Sequence, residues 1–195
     1  MTAAAAAEAA ALIRKAADRK PRLLVAIDGR CGAGKTTLAE ELRRELDCPV
    51  VHADHFFLRP EQRTPERLAE AGGNLDRERL LSEVLIPLSE GRDTAYRPYR
   101  CATATLGDPI PVPVAPVVLV EGSYSCHPEL SGYYDLRIFL TVSPEEQLRR
   151  ISSREGEAAA ELFKNRWIPL EETYFSVCQI PQNADLVLKS AENHG

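Results

Sequence analysis

The stretch that most constrains this chain is Gly29-Arg30-Cys31-Gly32-Ala33-Gly34-Lys35-Thr36, entered from the apolar run Leu23-Leu24-Val25-Ala26-Ile27 and left through a helical pattern from Leu38 to Leu46. The order is strand, glycine-rich turn, helix. Glycines at these intervals let backbone N–H groups curl around phosphate oxygens, and the following helix points its positive N-terminal end at the same anion. A polyphosphate is the expected occupant. The backbone of Gly29, Cys31, Gly32, Ala33, Gly34, Lys35, Thr36 and Thr37 is expected to cradle it. Lys35 would reach the β- and γ-phosphates as a mobile charge, and the Thr36 hydroxyl would serve Mg²⁺. A chance glycine-rich turn would not match four motif positions and both flanking elements at once. The loop therefore predicts binding of a nucleoside triphosphate and leaves open what the γ-phosphate is used for.

With 195 residues, 44% hydrophobic and 27% charged, the chain suits one α/β domain spanning residues 1–195. A formal net charge of −5 argues against a phosphate-backbone binder and for a small-molecule partner. Five scattered cysteines, without a Cys-x-x-Cys pair, read as reduced thiols of a cytoplasmic protein. Thr2 to Ala11 is alanine-rich but lacks the basic and strongly apolar regions of a signal peptide, and no run approaches a membrane span.

Residues 3–19 carry small apolar side chains at helical spacing opposite Glu8, Arg14, Lys15 and Arg19, an amphipathic helix to be laid on the domain rather than on a membrane. Pro49 to Ala53 reads as a short strand ending in Asp54-His55-Phe56-Phe57. Ligands gather at the C-terminal ends of parallel strands, so Asp54 is expected near the γ-phosphate, with a turn cap as the alternative. A loop with one or two helical turns covers residues 59–73, followed by a helix kinked at Pro87 and stopped at Gly91. Residues 94–116 predict a β-hairpin insertion about Gly107-Asp108, in which Tyr96 and Tyr99 either pack the hairpin or line a substrate pocket. Val117 to Val120 is a buried strand tipped by Glu121, and Leu136 to Thr141 is another. On the next helix Arg149, Arg150 and Arg154 make either a solvated basic face or a short lid over the phosphates, within residues 149–166. Residues 157–178 read as helix broken at Pro169, and Ala184 to Leu188 as a last strand.

These marks together resemble the uridine kinase and phosphoribulokinase branch of the P-loop kinases. The resemblance is carried by the phosphate loop, Asp54-His55-Phe56-Phe57, Asn74-Leu75-Asp76, Val120-Glu121-Gly122-Ser123-Tyr124, the helix with Leu148-Arg149-Arg150-Ile151 and Arg154-Glu155, and Ala184-Asp185-Leu186-Val187-Leu188. It implies a parallel five-stranded sheet of order 2-3-1-4-5 between helices, with ATP and Mg²⁺ as cofactors. It further implies Asp54 as general base, Glu121 in the magnesium shell, Asp76 on ribose hydroxyls, and Arg150 and Arg154 on the transferring phosphoryl group. Phe57, Tyr96 and Tyr99 are the aromatic candidates for the acceptor pocket. The implied reaction is transfer of the γ-phosphoryl group to a hydroxyl, with a nucleoside as leading acceptor; another small alcohol, a sugar acid, or a nucleotide-binding module without catalysis are the alternatives. Tyr96-Arg97-Pro98-Tyr99-Arg100-Cys101-Ala102 departs from the pattern, lacking the Asp and the His with which uridine kinases follow their pocket tyrosine. The stretch after Arg154 is short for a lid, so the closure is expected to use fewer arginines or a second subunit. A GTPase switch would need an Asn-Lys-x-Asp run, and an ABC- or AAA-type motor a Ser-Gly-Gly signature or paired acids where Glu121 stands alone; neither is present.

Overall fold

The computed structural model describes residues 2–191, so Met1 and residues 192–195 of the expected domain lie outside the described residues. Its centre is a parallel sheet of β1 (Leu23–Gly29), β2 (Val50–His52), β3 (Val117–Glu121), β4 (Leu136–Thr141) and β5 (Leu186–Lys189) in the order β2-β3-β1-β4-β5. This is the order 2-3-1-4-5 that the resemblance implies. β1 lies in the middle, with Leu23 opposite Val117 on one side and Val25 opposite Leu136 on the other. A parallel sheet must be covered on both faces, and all seven β1 residues are buried.

The period of two along β1 sorts its side chains between two cores. Leu23, Val25 and Ile27 face α1 (Ala3–Ala17) and α2 (Lys35–Leu46), whereas Leu24 and Ala26 face α3 (residues 77–89) and the insertion. On α1 the buried residues are Ala5, Ala6, Ala9, Ala10 and Ile13, so the expected helix lies against the domain. Its Thr2 cap accepts the Ala5 N–H at 3.2 Å. Among the described residues no helix is long and apolar enough to cross a membrane.

Two expectations are corrected. Pro169 does not break its helix: residues 157–177 form one helix, α5, with a π-helical turn at Phe163–Trp167 just ahead of the proline. Pro87 has the same device, a π turn at Leu81–Leu85. Proline lacks the N–H and crowds the carbonyl one turn back, and a wide turn directly before it absorbs both faults. The insertion is a hairpin, but Gly107-Asp108 is not its tip. Thr94–Tyr96 pairs with Ile110–Val112, Tyr99–Arg100 pairs with Thr105–Leu106, and the chain reverses at residues 101–104, where Ala104 takes a φ of 52°. Gly107 instead donates to Pro98 O at 2.8 Å, joining the two short ladders where Pro98 has no N–H to give.

At the end of β1 the phosphate loop begins against the neighbouring strand. Gly29 has a φ of 138°, and a β-carbon there would lie 2.0 Å from the Leu140 carbonyl oxygen. Gly29→Ala is therefore expected to part β1 from β4 and lower the melting temperature by many degrees in a thermal scan; an unchanged melting curve would contradict the close approach.

Candidate active site

The C-terminal ends of β1, β2 and β3 bring the expected residues to one edge of the sheet. Asp28, at the tip of β1, is fully buried and accepts four hydrogen bonds, from the N–H groups of Gly29 (2.7 Å), Tyr124 (3.2 Å) and Cys126 (2.9 Å) and from the Tyr174 hydroxyl (2.8 Å). It ties β1 to the loop after β3 and to α5. Burial pushes its pKa up, against the pull of Lys35.

Lys35 opens α2 and is itself buried, with Nζ donating to Gly29 O at 2.7 Å and Arg30 O at 3.2 Å. Burial works against its charge, but Glu171, Asp54 and Asp28 outweigh it and raise the ammonium pKa. Thr36 Oγ1 lies 3.3 Å from both carboxylate oxygens of Glu121, which also takes His52 Nδ1 at 2.5 Å. The His52 pKa is raised, chiefly by that hydrogen bond. A hydroxyl and a carboxylate converging at the head of the loop are hard oxygen donors of the kind Mg²⁺ takes together with water and phosphate oxygens, so Thr36 and Glu121 fit the ion.

Asp54 follows β2 in a 3₁₀ turn, Ala53–Phe56. Its carboxylate opens onto a crevice yet is walled by protein, and its pKa is raised by burial and by Glu121, with Lys35 and the Ser123 N–H opposing. Gly122 makes room for it: with a φ of 140°, a β-carbon there would stand 2.9 Å from Ala53 Cβ and 3.0 Å from Asp54 Oδ1.

Two crevices meet at this aspartate. One, of about 440 Å³, is lined by Gly32, Gly34, Lys35, Thr36, Thr37, Glu121 and the three arginines of α4 (Pro144–Glu155). The other, of about 330 Å³, is lined by Phe57, Arg63, Asn74, Cys101, Tyr124, Phe163, Trp167 and Glu171. Cys31, Asp54, Ser123 and Arg154 border both.

The arginines differ in what they are free to do. Arg150 donates to Gly32 O (2.9 Å), Ser190 Oγ (2.8 Å), Ala191 O (2.5 Å) and Glu146 (2.8 Å), which makes it a clamp between the phosphate loop and the chain leaving β5. Arg149 is paired with Glu146. Arg154 pairs with Glu155 on the surface and borders both crevices. Arg154→Ala is thus expected to lower kcat by roughly 10²-fold with nucleotide affinity little changed. Arg150→Ala is expected to loosen the loop, raising the nucleotide Kd and lowering Tm. Steady-state kinetics with calorimetry would contradict this assignment if the two variants behaved alike.

Three sequence-predicted residues stand away from the crevices. Asp76 is buried, caps α3 by accepting the Arg79 N–H at 3.2 Å, and accepts from Gln62 Nε2 at 2.8 Å. Tyr96 is buried against Phe56, its hydroxyl 3.0 Å from His55 Nδ1, and Tyr99 is buried in the hairpin. Of the aromatic candidates, Phe57 alone lines the second crevice. Sequence reasoning missed Arg63, Asn74, Phe163, Trp167 and Glu171. The only hint was on α5, where an aromatic, the single tryptophan and an acid recur every four residues.

A phosphate loop on a parallel sheet of this order defines the class, a P-loop nucleotide-binding α/β protein. Residues 25–166 match a family described as AAA domain, and the chain belongs to it. Similar curated proteins are a cytidylate kinase of Pyrobaculum arsenaticum, 27% identical over 73% of this chain and 66% of that protein, and the tRNA-specific adenosine deaminase subunit tad2 of Schizosaccharomyces pombe, 25% identical over 91% of this chain and 46% of that protein. The chain thus spans less than two thirds of the length of each. Among solved structures, a "possible uridine kinase" from Bacillus stearothermophilus superposes with a TM-score of 0.64, at 20% identity over 90% of this chain and 96% of that one. A "putative fructose transport system kinase" from Silicibacter sp. TM1040 gives 0.70, at 22% identity over 92% and 98%. The fold is that of uridine kinase-like and sugar kinase-like P-loop proteins.

Proposed function

We propose that this protein is a small-molecule kinase, which transfers the γ-phosphoryl group of ATP to a hydroxyl. The observation that carries the reading is the shared border of the two crevices: a phosphate-binding cleft opens, at Asp54, onto a second cleft with room for an acceptor. The kinase names among the relatives and structural neighbours agree with it. A motor ATPase has no need of the second cleft, and its paired acids are missing where Gly122 follows Glu121.

In this reading Lys35 and the loop N–H groups hold the β- and γ-phosphates, Arg154 meets the charge on the transferring group, and Asp54 takes the proton of the acceptor hydroxyl. Thr36 and Glu121 would hold Mg²⁺, which when bound neutralises charge between the β- and γ-phosphates. Phe57, Phe163 and Trp167 give the second crevice flat apolar walls, which favours a nucleoside-like acceptor with a ring to stack. Arg63 favours a second reading, a sugar acid: it lines the same crevice and, among the described residues, its guanidinium gives one hydrogen bond, to Leu58 O, and forms no ion pair. A coupled ADP-release assay across nucleosides, sugar acids and pantothenate-like alcohols tests both. Activity on one class selects it, and ATP hydrolysis that no acceptor stimulates would overturn the kinase reading.

A further inference from the structure

Glu171, like Asp28, is a buried acid at this site that the proposed reaction does not use. The residue is 4% exposed; one carboxylate oxygen accepts the backbone N–H of Cys31 at 3.1 Å and the other the Ser123 hydroxyl at 3.2 Å. Beside it on α5, Glu172 takes both terminal nitrogens of Arg30. Consecutive glutamates therefore grip consecutive residues of the phosphate loop. A carboxylate on an N–H of an anion-binding loop stands where such a loop holds a phosphate oxygen. Phe163, Trp167 and Glu171, four residues apart on α5, all line the second crevice, so the helix that carries this grip is also a wall of that crevice.

We infer that Glu171 is a positioning residue that couples the two crevices: without nucleotide it latches α5 to Cys31, and a triphosphate arriving at that N–H displaces it and moves the aromatic wall. The inference rests on the loop taking a triphosphate. Its cause is charge. Asp28, Asp54 and Glu171 already face Lys35, and a polyphosphate adds more negative charge at the same place. Asp28 is fastened by four hydrogen bonds and Asp54 has a crevice to face, whereas Glu171 is held by two, one of them from a phosphate-loop N–H.

Trp167 is the chain's single tryptophan, so its emission reports the wall. Titration of the wild-type protein with Mg-ATP is expected to shift that emission in step with calorimetric binding. Glu171→Gln keeps the shape without the charge and is expected to bind ATP about fivefold tighter or more. Glu171→Asp keeps the charge but draws it back from Cys31, and is expected to bind ATP at least as tightly as wild type. ATP binding without a change in Trp167 emission, equal affinity of wild type and Glu171→Gln, or weaker binding by Glu171→Asp would remove the latch while leaving the nucleotide site standing. A wild-type protein that binds no ATP would remove both.

Discussion

Lys35→Ala is expected to weaken Mg-ATP binding by at least about tenfold and to cut turnover by about 10³-fold. In the folded protein the ammonium bonds to Gly29 O and Arg30 O and is the countercharge of Asp28, Asp54 and Glu171. Its removal therefore acts twice: a bound triphosphate loses its mobile cation, and three carboxylates are left facing one another in a walled space. The second effect should appear as a lower Tm without any ligand. Lys35→Arg is not expected to rescue, because the planar guanidinium cannot turn as a point charge between loop carbonyls and phosphates. Calorimetry showing unchanged ATP affinity in a folded Lys35→Ala variant would sink the assignment of the loop.

The sheet was legible because parallel strands buried on both faces are short apolar runs, and two of the three central ones end in an acid or a glycine that marks the tip, as Leu23 to Gly29 and Val117 to Glu121 do. The phosphate loop and Asp54 were legible for a related reason: each lies next to a strand end, where chain order alone places it near the others. Glu171 was not, since its role comes from Cys31 and Ser123, 140 and 48 residues away, and from a π turn that carries α5 past Pro169 where helix rules predict a break. Arg150 and Arg154 look equivalent in sequence, four residues apart on one helix. They part company through Ser190 and Ala191, which reach Arg150 after β5 has crossed the sheet edge. Asp76 was read by resemblance as a hydroxyl ligand, and here its carboxylate caps α3 and accepts from Gln62. A carboxylate's lone pairs can be read only once its donors are known, and these come from tertiary contacts.

Asp54→Asn is expected to lower kcat by ~10² to 10⁴-fold while Mg-ATP still binds. The aspartate borders both crevices, and an alcohol that keeps its proton is a poor nucleophile, so in the proposed reaction a carboxylate at the junction would take that proton as the phosphoryl group arrives. Asparagine preserves the shape and the contact with the Ser123 N–H but cannot accept a proton. The pH profile should separate this role from others. Burial and the nearby Glu121 hold the Asp54 carboxyl above its ordinary range against the opposing Lys35, and a general base works only when ionised. Activity of the wild type should therefore fall as pH drops through that raised pKa, at a pH above the ordinary aspartate range, and this acid limb should be absent from the residual activity of Asp54→Asn. If Asp54 instead held the metal through water, excess Mg²⁺ or Mn²⁺ would restore the Asn variant; if it only capped its turn, the variant would lose stability and keep its rate. Either outcome would remove Asp54 as the base and leave the acceptor hydroxyl to lose its proton to the phosphate itself.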